Sequence, residues 1–182
     1  MMSLTLPVAQ LDHFMQRFVP ESHEYARTAK SFFVTAHFLA YVLLALLWGA
    51  LSDRLGRRKP VYLVGQAASA AVCFVFALAV PGLGAAGAAA AAAAAGLLVG
   101  GMIIPFAMIV EMFPGELAGT AAGVTNASCF VGGTIFPIVL GWIADATGGF
   151  TASFLVAGGV QAVALGFACL TLETGSRARP RV

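Results

Sequence analysis

The tightest constraint on this chain is where its charges are missing. Phe32–Leu51, Pro60–Val110, Leu117–Ala144 and Ala146–Leu172 contain no Asp, Glu, Lys or Arg. A helical membrane span needs about 20 consecutive apolar residues, and a charge at the bilayer centre costs at least ~2.5 kcal/mol. Each stretch is therefore long enough to cross a bilayer and free of what would oppose crossing. Pro60–Val110 is long enough to cross twice, and Pro81, Gly82 and Gly84 supply a turn near its middle. The sequence predicts an all-α integral membrane protein with spans at Ser31–Leu51, Pro60–Val80, Leu83–Met112, Leu117–Ala144 and Phe150–Leu172. The third and fourth are long and should tilt. Composition agrees: 10% of the residues are charged and 60% hydrophobic, against roughly 25% charged in soluble domains.

The charges that remain give an orientation. Arg54, Arg57, Arg58 and Lys59 crowd one short loop, and Arg177, Arg179 and Arg181 fill the tail. The positive-inside rule places both on the cytoplasmic side. An even number of spans must then separate them, as the five-span reading has it, and residues 80–86 and 145–149, which fall outside, carry no Lys or Arg. A net charge of +2 is too small to suggest nucleic acid as a partner. Residues 1–30 differ from the rest. Leu4, Val8, Leu11, Met15 and Phe18 recur at helical spacing opposite Gln10, Asp12, Gln16 and Arg17, which suggests an amphipathic helix along the membrane surface. The equal alternative is the outer end of a preceding span. The opening residues lack the basic region and cleavage site of a signal peptide.

The strongest local motif is the run from Gly49 to Lys59, Gly-Ala-Leu-Ser-Asp-Arg-Leu-Gly-Arg-Arg-Lys. A basic topology loop explains its arginines but not Asp53, which falls at a helix C-terminus where the macrodipole disfavours a negative charge. Asp53 therefore calls for a specific partner. Gly49 would allow close helix approach, and Gly56 a left-handed or tight turn before a helix starting at Pro60.

This run resembles the cytoplasmic-loop signature of the major facilitator superfamily, which follows the second and eighth helices of those transporters. Glu111-Met112-Phe113-Pro114, then Gly119 to Asn126, Gly132-Gly133, Pro137, Gly141 and Asp145, resemble the tenth and eleventh helices. The fourth-helix arginine pattern of the first half is absent and the sequence ends soon after its last span, so the resemblance points to helices eight to twelve, over residues 31–172. It implies a partial six-helix bundle with the second and fifth spans peripheral and the others facing a central cavity. It also implies that Asp53 meets a helix N-terminus in the opposite half, with Arg54, Arg57 and Arg58 completing a charge network that latches the cytoplasmic side, and that Glu111 and Pro114 form a cytoplasmic gate.

Polar residues inside spans are the candidates for a substrate or proton site: His37 and Tyr41 in the first, Asn126 and Ser128 in the fourth, with Thr35, Thr125 and Thr134 beside them. A histidine in a span can relay protons, but His37 lies close to the predicted outer surface, where an interfacial, hydrogen-bonded histidine is the plainer reading. Cys73, Cys129 and Cys169 lack paired spacing and histidine neighbours, so they read as small apolar residues and not as metal ligands or a disulfide framework. Gly82–Gly87 matches a dinucleotide fingerprint only in spacing, because Pro81 interrupts the strand-to-helix turn and charge-free sequence continues beyond it. These glycines and the alanine run 85–95 suit close helix packing in lipid.

No nucleophile–base arrangement, paired carboxylates or nucleotide motif is visible, so no enzyme and no cofactor is expected. The expected function is secondary transport of a small solute by alternating access, in the plasma membrane, which would be the inner membrane if the Ala-rich composition reflects a bacterial source. One bundle cannot alternate against nothing. A truncated or split transporter half, with a second half or another copy as partner, is the primary reading, and a non-transporting membrane interaction protein or inactive fragment the alternative.

Overall fold

A computed structural model describes residues 24–78 and 100–176, the side chains of residues 24–38, 40, 100 and 102 excepted. The described residues are helical, with no strand among them. Helix α1 spans Glu24–Leu55 and α2 Lys59–Leu78. A short 3-10 turn at Gly100–Ile103 leads into α3, Ile104–Met112; α4 spans Gly115–Thr147 and α5 Phe150–Leu170. Three of these, α2, α4 and α5, are long and apolar enough to cross a membrane. The expected break at Pro81-Gly82, the alanine run 85–95 and the amphipathic pattern of residues 4–18 lie outside the described residues.

Helix ends differ from the predicted spans in ways local chemistry explains. α1 begins seven residues before Ser31 because charge limits where lipid begins, not where a helix begins. Tyr25 to Lys30 contains neither Gly nor Pro, so nothing stops the helix there. Residues 24–30 thus continue α1. At 32 residues and ~1.5 Å per residue, α1 is about 48 Å long, well beyond a hydrocarbon core of about 30 Å. α3 stops at Phe113 (φ −109°, ψ 149°) because the following Pro114 disfavours helical backbone before it. Leu117 and Ala118 then donate their N–H groups to the Pro114 carbonyl, starting α4. Gly148, left-handed at φ 68°, ends α4.

α2 and α5 form the tightest pair. Phe76 and Phe154 rings lie 5.3 Å apart, and the Phe74 ring covers Gly158 so closely that a Cβ there would meet it at 3.0 Å. Cys73, Leu140 and Ala157 make a buried cluster joining α2, α4 and α5, with Phe136 and Ile143 against it. A buried Ser153 hydroxyl donates to the Leu140 carbonyl, tying α5 to α4. A second cluster, Val61, Ile104 and Met108 with Trp48 and Tyr62, joins α1, α2 and α3. There the backbones meet directly: a Cβ on Gly65 would stand 3.1 Å from Gly101 Cα. Nothing among the described residues lies within 4 Å of the Gly49 Cβ position.

Candidate functional site

Three residues, Gly56 to Arg58, connect α1 to α2, and their geometry is dictated by the glycine. Gly56 adopts φ 63°, a left-handed backbone that other residues reach only at a cost, and its N–H closes onto the Asp53 carbonyl at 3.1 Å. The turn sends the Arg58 side chain back beneath the end of α1. Its Nη1 donates to Asp53 Oδ1 and, at 3.2 Å, to Ser52 Oγ, while Nη2 and Nε donate to Glu111 Oε1 at 2.9 and 3.2 Å. One guanidinium therefore joins the end of α1 to the end of α3. A planar fork of five donors can do this, and a point-charge ammonium cannot.

Burial ranks these contacts. The side chains of Arg58 and Glu111 are 17% and 22% exposed and Asp53 is 66% exposed, so water screens the aspartate pair far more than the glutamate pair. The hydrogen bond from Glu111 is the main reason that the Arg58 pKa is raised above its ordinary value; partial burial opposes it, and Asp53 adds to it. Ser52 is fully buried, and its hydroxyl accepts from Arg58 and donates to the Arg57 carbonyl at 3.3 Å.

The first residues after α5 also belong to this site. Glu173 Oε1 accepts from the backbone N–H of Arg58 (2.8 Å), Lys59 (2.9 Å) and Thr174 (3.1 Å), and Oε2 accepts from Arg57 Nε at 3.3 Å. It thus caps the N-terminus of α2, where orphan N–H groups and the macrodipole favour an anion. Partial burial works against ionisation of this carboxyl, but the backbone donors of Lys59 and Arg58 and the Arg57 guanidinium outweigh it and hold its pKa below the usual carboxylate value. Lys59 Nζ donates to the Cys169 carbonyl at the C-terminal end of α5 (2.7 Å). Gly175, at φ 112°, lies on Gly56, and a Cβ there would meet the Gly56 carbonyl oxygen at 2.8 Å. A cleft of about 420 Å³ opens between this strap and the helix ends, lined by Ser52, Asp53, Gly56, Arg58, Glu111, Gly175 and Ser176.

The structure thus gathers Asp53, Gly56, Arg57, Arg58 and Glu111 into one network. Arg54 is exposed in the last turn of α1 and forms no ion pair among the described residues. Pro114 shapes the α3–α4 turn but does not line the cleft. Glu173 went unrecognised in the sequence, where residues 173–182 read as a basic tail. The available signal was an acid directly after the last span, on the same side as the basic loop.

The proposed substrate residues lie on two helices, α1 and α4. The His37 side chain lies outside the described residues. Tyr41 is half-buried on α1, while Asn126 and Ser128 are exposed on α4, and no hydrogen bond among the described residues joins them. Ser128 donates back to the Val124 carbonyl at 2.9 Å, as Ser in membrane helices often does.

No group of His, Cys, Asp or Glu among the described residues could hold a metal ion. The site is an ionic tie between helix ends. No curated protein and no solved structure matches the chain. A family model described as Major Facilitator Superfamily matches residues 1–181. Apolar spans closed at one end by a basic hinge loop and a shared guanidinium accord with that match over nearly the whole sequence, and the chain belongs to the Major Facilitator Superfamily.

Proposed function

We propose that this membrane transporter chain forms one bundle of a secondary transporter that moves a small solute by alternating access, and that Arg58 is the hub of its cytoplasmic latch. One observation carries the reading: a single guanidinium holds α1 through Asp53 and Ser52 and α3 through Glu111. Opening the cytoplasmic side separates helix ends, and a tie between those ends changes the relative stability of the open and closed states. The basic loop 54–59 and the arginines of the tail support a cytoplasmic location in the plasma membrane.

In this reading the spans number five. α1 contributes the charge-free Phe32–Leu51, and 83–112 crosses with α3 at its inner end. They correspond to helices eight to twelve, and the pairing of α2 with α5 suits the peripheral place those two take in the superfamily. Alternation needs a second bundle, carried on the same polypeptide, on a separate one, or by another copy of this chain. Tyr41, Asn126 and Ser128, with His37 of the same span as Tyr41, are the candidate substrate or proton site at the cavity between the two. Proteins of this superfamily are in general not enzymes, and no catalytic role is assigned.

The test is uptake into proteoliposomes containing the complete two-bundle assembly, using solutes first selected by thermal stabilisation of the purified protein. Arg58→Gln should alter the uptake rate at least tenfold. Unchanged uptake in an assembly shown to be active would remove Arg58 from the latch.

A further inference from the structure

The contact between α2 and α5 holds what lipid-embedded helices seldom bury: Gln66 and Gln161, each 1% exposed, and Ser69, fully buried. Gln66 Nε2 donates to Gln161 Oε1 at 2.9 Å and to the Gln161 carbonyl at 3.2 Å, and Gln161 Nε2 donates to Ser69 Oγ at 2.9 Å. Gln66 Oε1 is buried without a partner. Dehydrating a carboxamide costs free energy, and leaving an acceptor bare costs more. Leucine has a comparable volume and would fill the same space without that cost, so adhesion alone does not account for the amides. What they add is direction, because their donors and acceptors meet only at one rotation and one height of α2 against α5.

The consequence falls on the loop. Arg58 and Lys59 precede Gln66 by about two turns of α2, and Cys169 follows Gln161 by about two turns of α5. The pair is thus pinned twice, by amides inside the bilayer and by Lys59 to Cys169 and Glu173 to the α2 N-terminus outside it. A slip of one residue along α2 would turn Arg58 by about 100° and carry its guanidinium away from Glu111.

We propose that Gln66 and Gln161 are positioning residues, whose amide clasp fixes the rotation of α2 against α5 and so aims Arg58 at Glu111. α2 and α5 move as one strut, and the contacts that break and remake during opening are those of α1 and α3 with it. The inference rests on Arg58 as the latch, but helix register and latch function are read separately.

The experiment uses the full chain in lipid nanodiscs, with Cys129 and Cys169 replaced by Ala. Native Cys73 packs with Ala157, so the yield of the disulfide it forms with Ala157→Cys on mild oxidation reports register. In a second background, labelling of Ser52→Cys by a membrane-impermeant maleimide reports whether Arg58 is seated over that buried position.

An interhelical hydrogen bond in a membrane is worth about threefold in an equilibrium. Combining Gln66→Leu with Gln161→Leu should lower the disulfide yield, and raise the Ser52→Cys labelling rate, by about threefold or more. Gln161→Glu, neutral when buried, can still accept from Gln66 and donate to Ser69 and should behave as wild type. Should the Leu pair fail to insert, Gln66→Leu alone, which keeps the bond from Gln161 to Ser69, reads the same two signals.

Unchanged Ser52→Cys labelling in the Leu variant overturns the proposal. So does faster labelling with an unchanged disulfide yield, or a Gln161→Glu variant that fails like the Leu pair. If Arg58→Gln speeds Ser52→Cys labelling but leaves uptake unaltered, the latch reading fails while the positioning of Arg58 stands.

Discussion

Arg58 shows how much one side chain decides when its partners differ in burial. Asp53 and Glu111 both bind its guanidinium, but Glu111 is largely buried and Asp53 largely exposed. Double-mutant cycles on unfolding in mild detergent should therefore give a coupling of about 1.5–3 kcal/mol for Arg58 with Glu111, and under about 1 kcal/mol for Arg58 with Asp53. Equal couplings would show that burial does not set the ranking. Asp53→Asn should accordingly leave the unfolding midpoint nearly unchanged, and, if the proposed latch is right, impair uptake. Wild-type uptake by Asp53→Asn in an active assembly would contradict this. The sequence made Asp53 conspicuous, since an acid at a helix C-terminus needs compensation, and Arg58 Nη1 supplies it. It did not reveal that Arg58, alone among the loop arginines, would reach Glu111, because that depends on the left-handed turn at Gly56 and on the distant end of α3.

The element that sequence reasoning missed is the strap after α5. Charge-free stretches outline helices well because lipid excludes charge along their whole length. A polar contact between residues 95 to 116 positions apart leaves no periodicity to find. Glu173 and the α2 N-terminus form such a contact, as do Gln66 and Gln161, whose polarity stands out in a span but whose partners do not. The strap carries its own pH signature. The Glu173 pKa is held below the ordinary carboxylate value of 4.5, so the folded state binds this proton less readily than the unfolded state. Its stabilisation is complete above the ordinary pKa and is lost as pH falls through the lower folded value. Amide hydrogen exchange at Arg58 and Lys59, corrected for intrinsic rates, should rise as pH falls below about 4.5, and Glu173→Gln should show the raised exchange at every pH. Gly175→Ala should do the same, since its Cβ would meet the Gly56 carbonyl oxygen and its φ of 112° strains any other residue. Protection unchanged in both variants would mean that the strap does not hold the α2 N-terminus.

At the scale of the molecule, the helices divide by what covers them. Half of the most apolar window of α2 is buried within this chain, against 17% for α4. α5 exposes Leu155, Val163, Phe167 and Leu170, a surface suited to lipid tails. α4 exposes Leu117, Val124, Phe130 and Trp142 as well, but among them stand Gly119, Gly123, Asn126, Ala127 and Ser128, with nothing within 4 Å of the Cβ positions of the two glycines. The Ser128 hydroxyl donates to the Val124 carbonyl, but the Asn126 amide facing hydrocarbon would leave hydrogen-bonding capacity unmet, which a water-filled cavity between two bundles would satisfy. The two environments differ in access to a hydrophilic thiol reagent. With native Cys129 replaced by Ala, Asn126→Cys and Ser128→Cys should react with a charged maleimide at least ten times faster than Val163→Cys on α5. A solute that stabilises the protein should slow the first two reactions and leave the third unchanged. Equal, slow labelling at all three positions would place that face of α4 against lipid and remove Asn126 and Ser128 from the transport path, whichever partner completes the assembly.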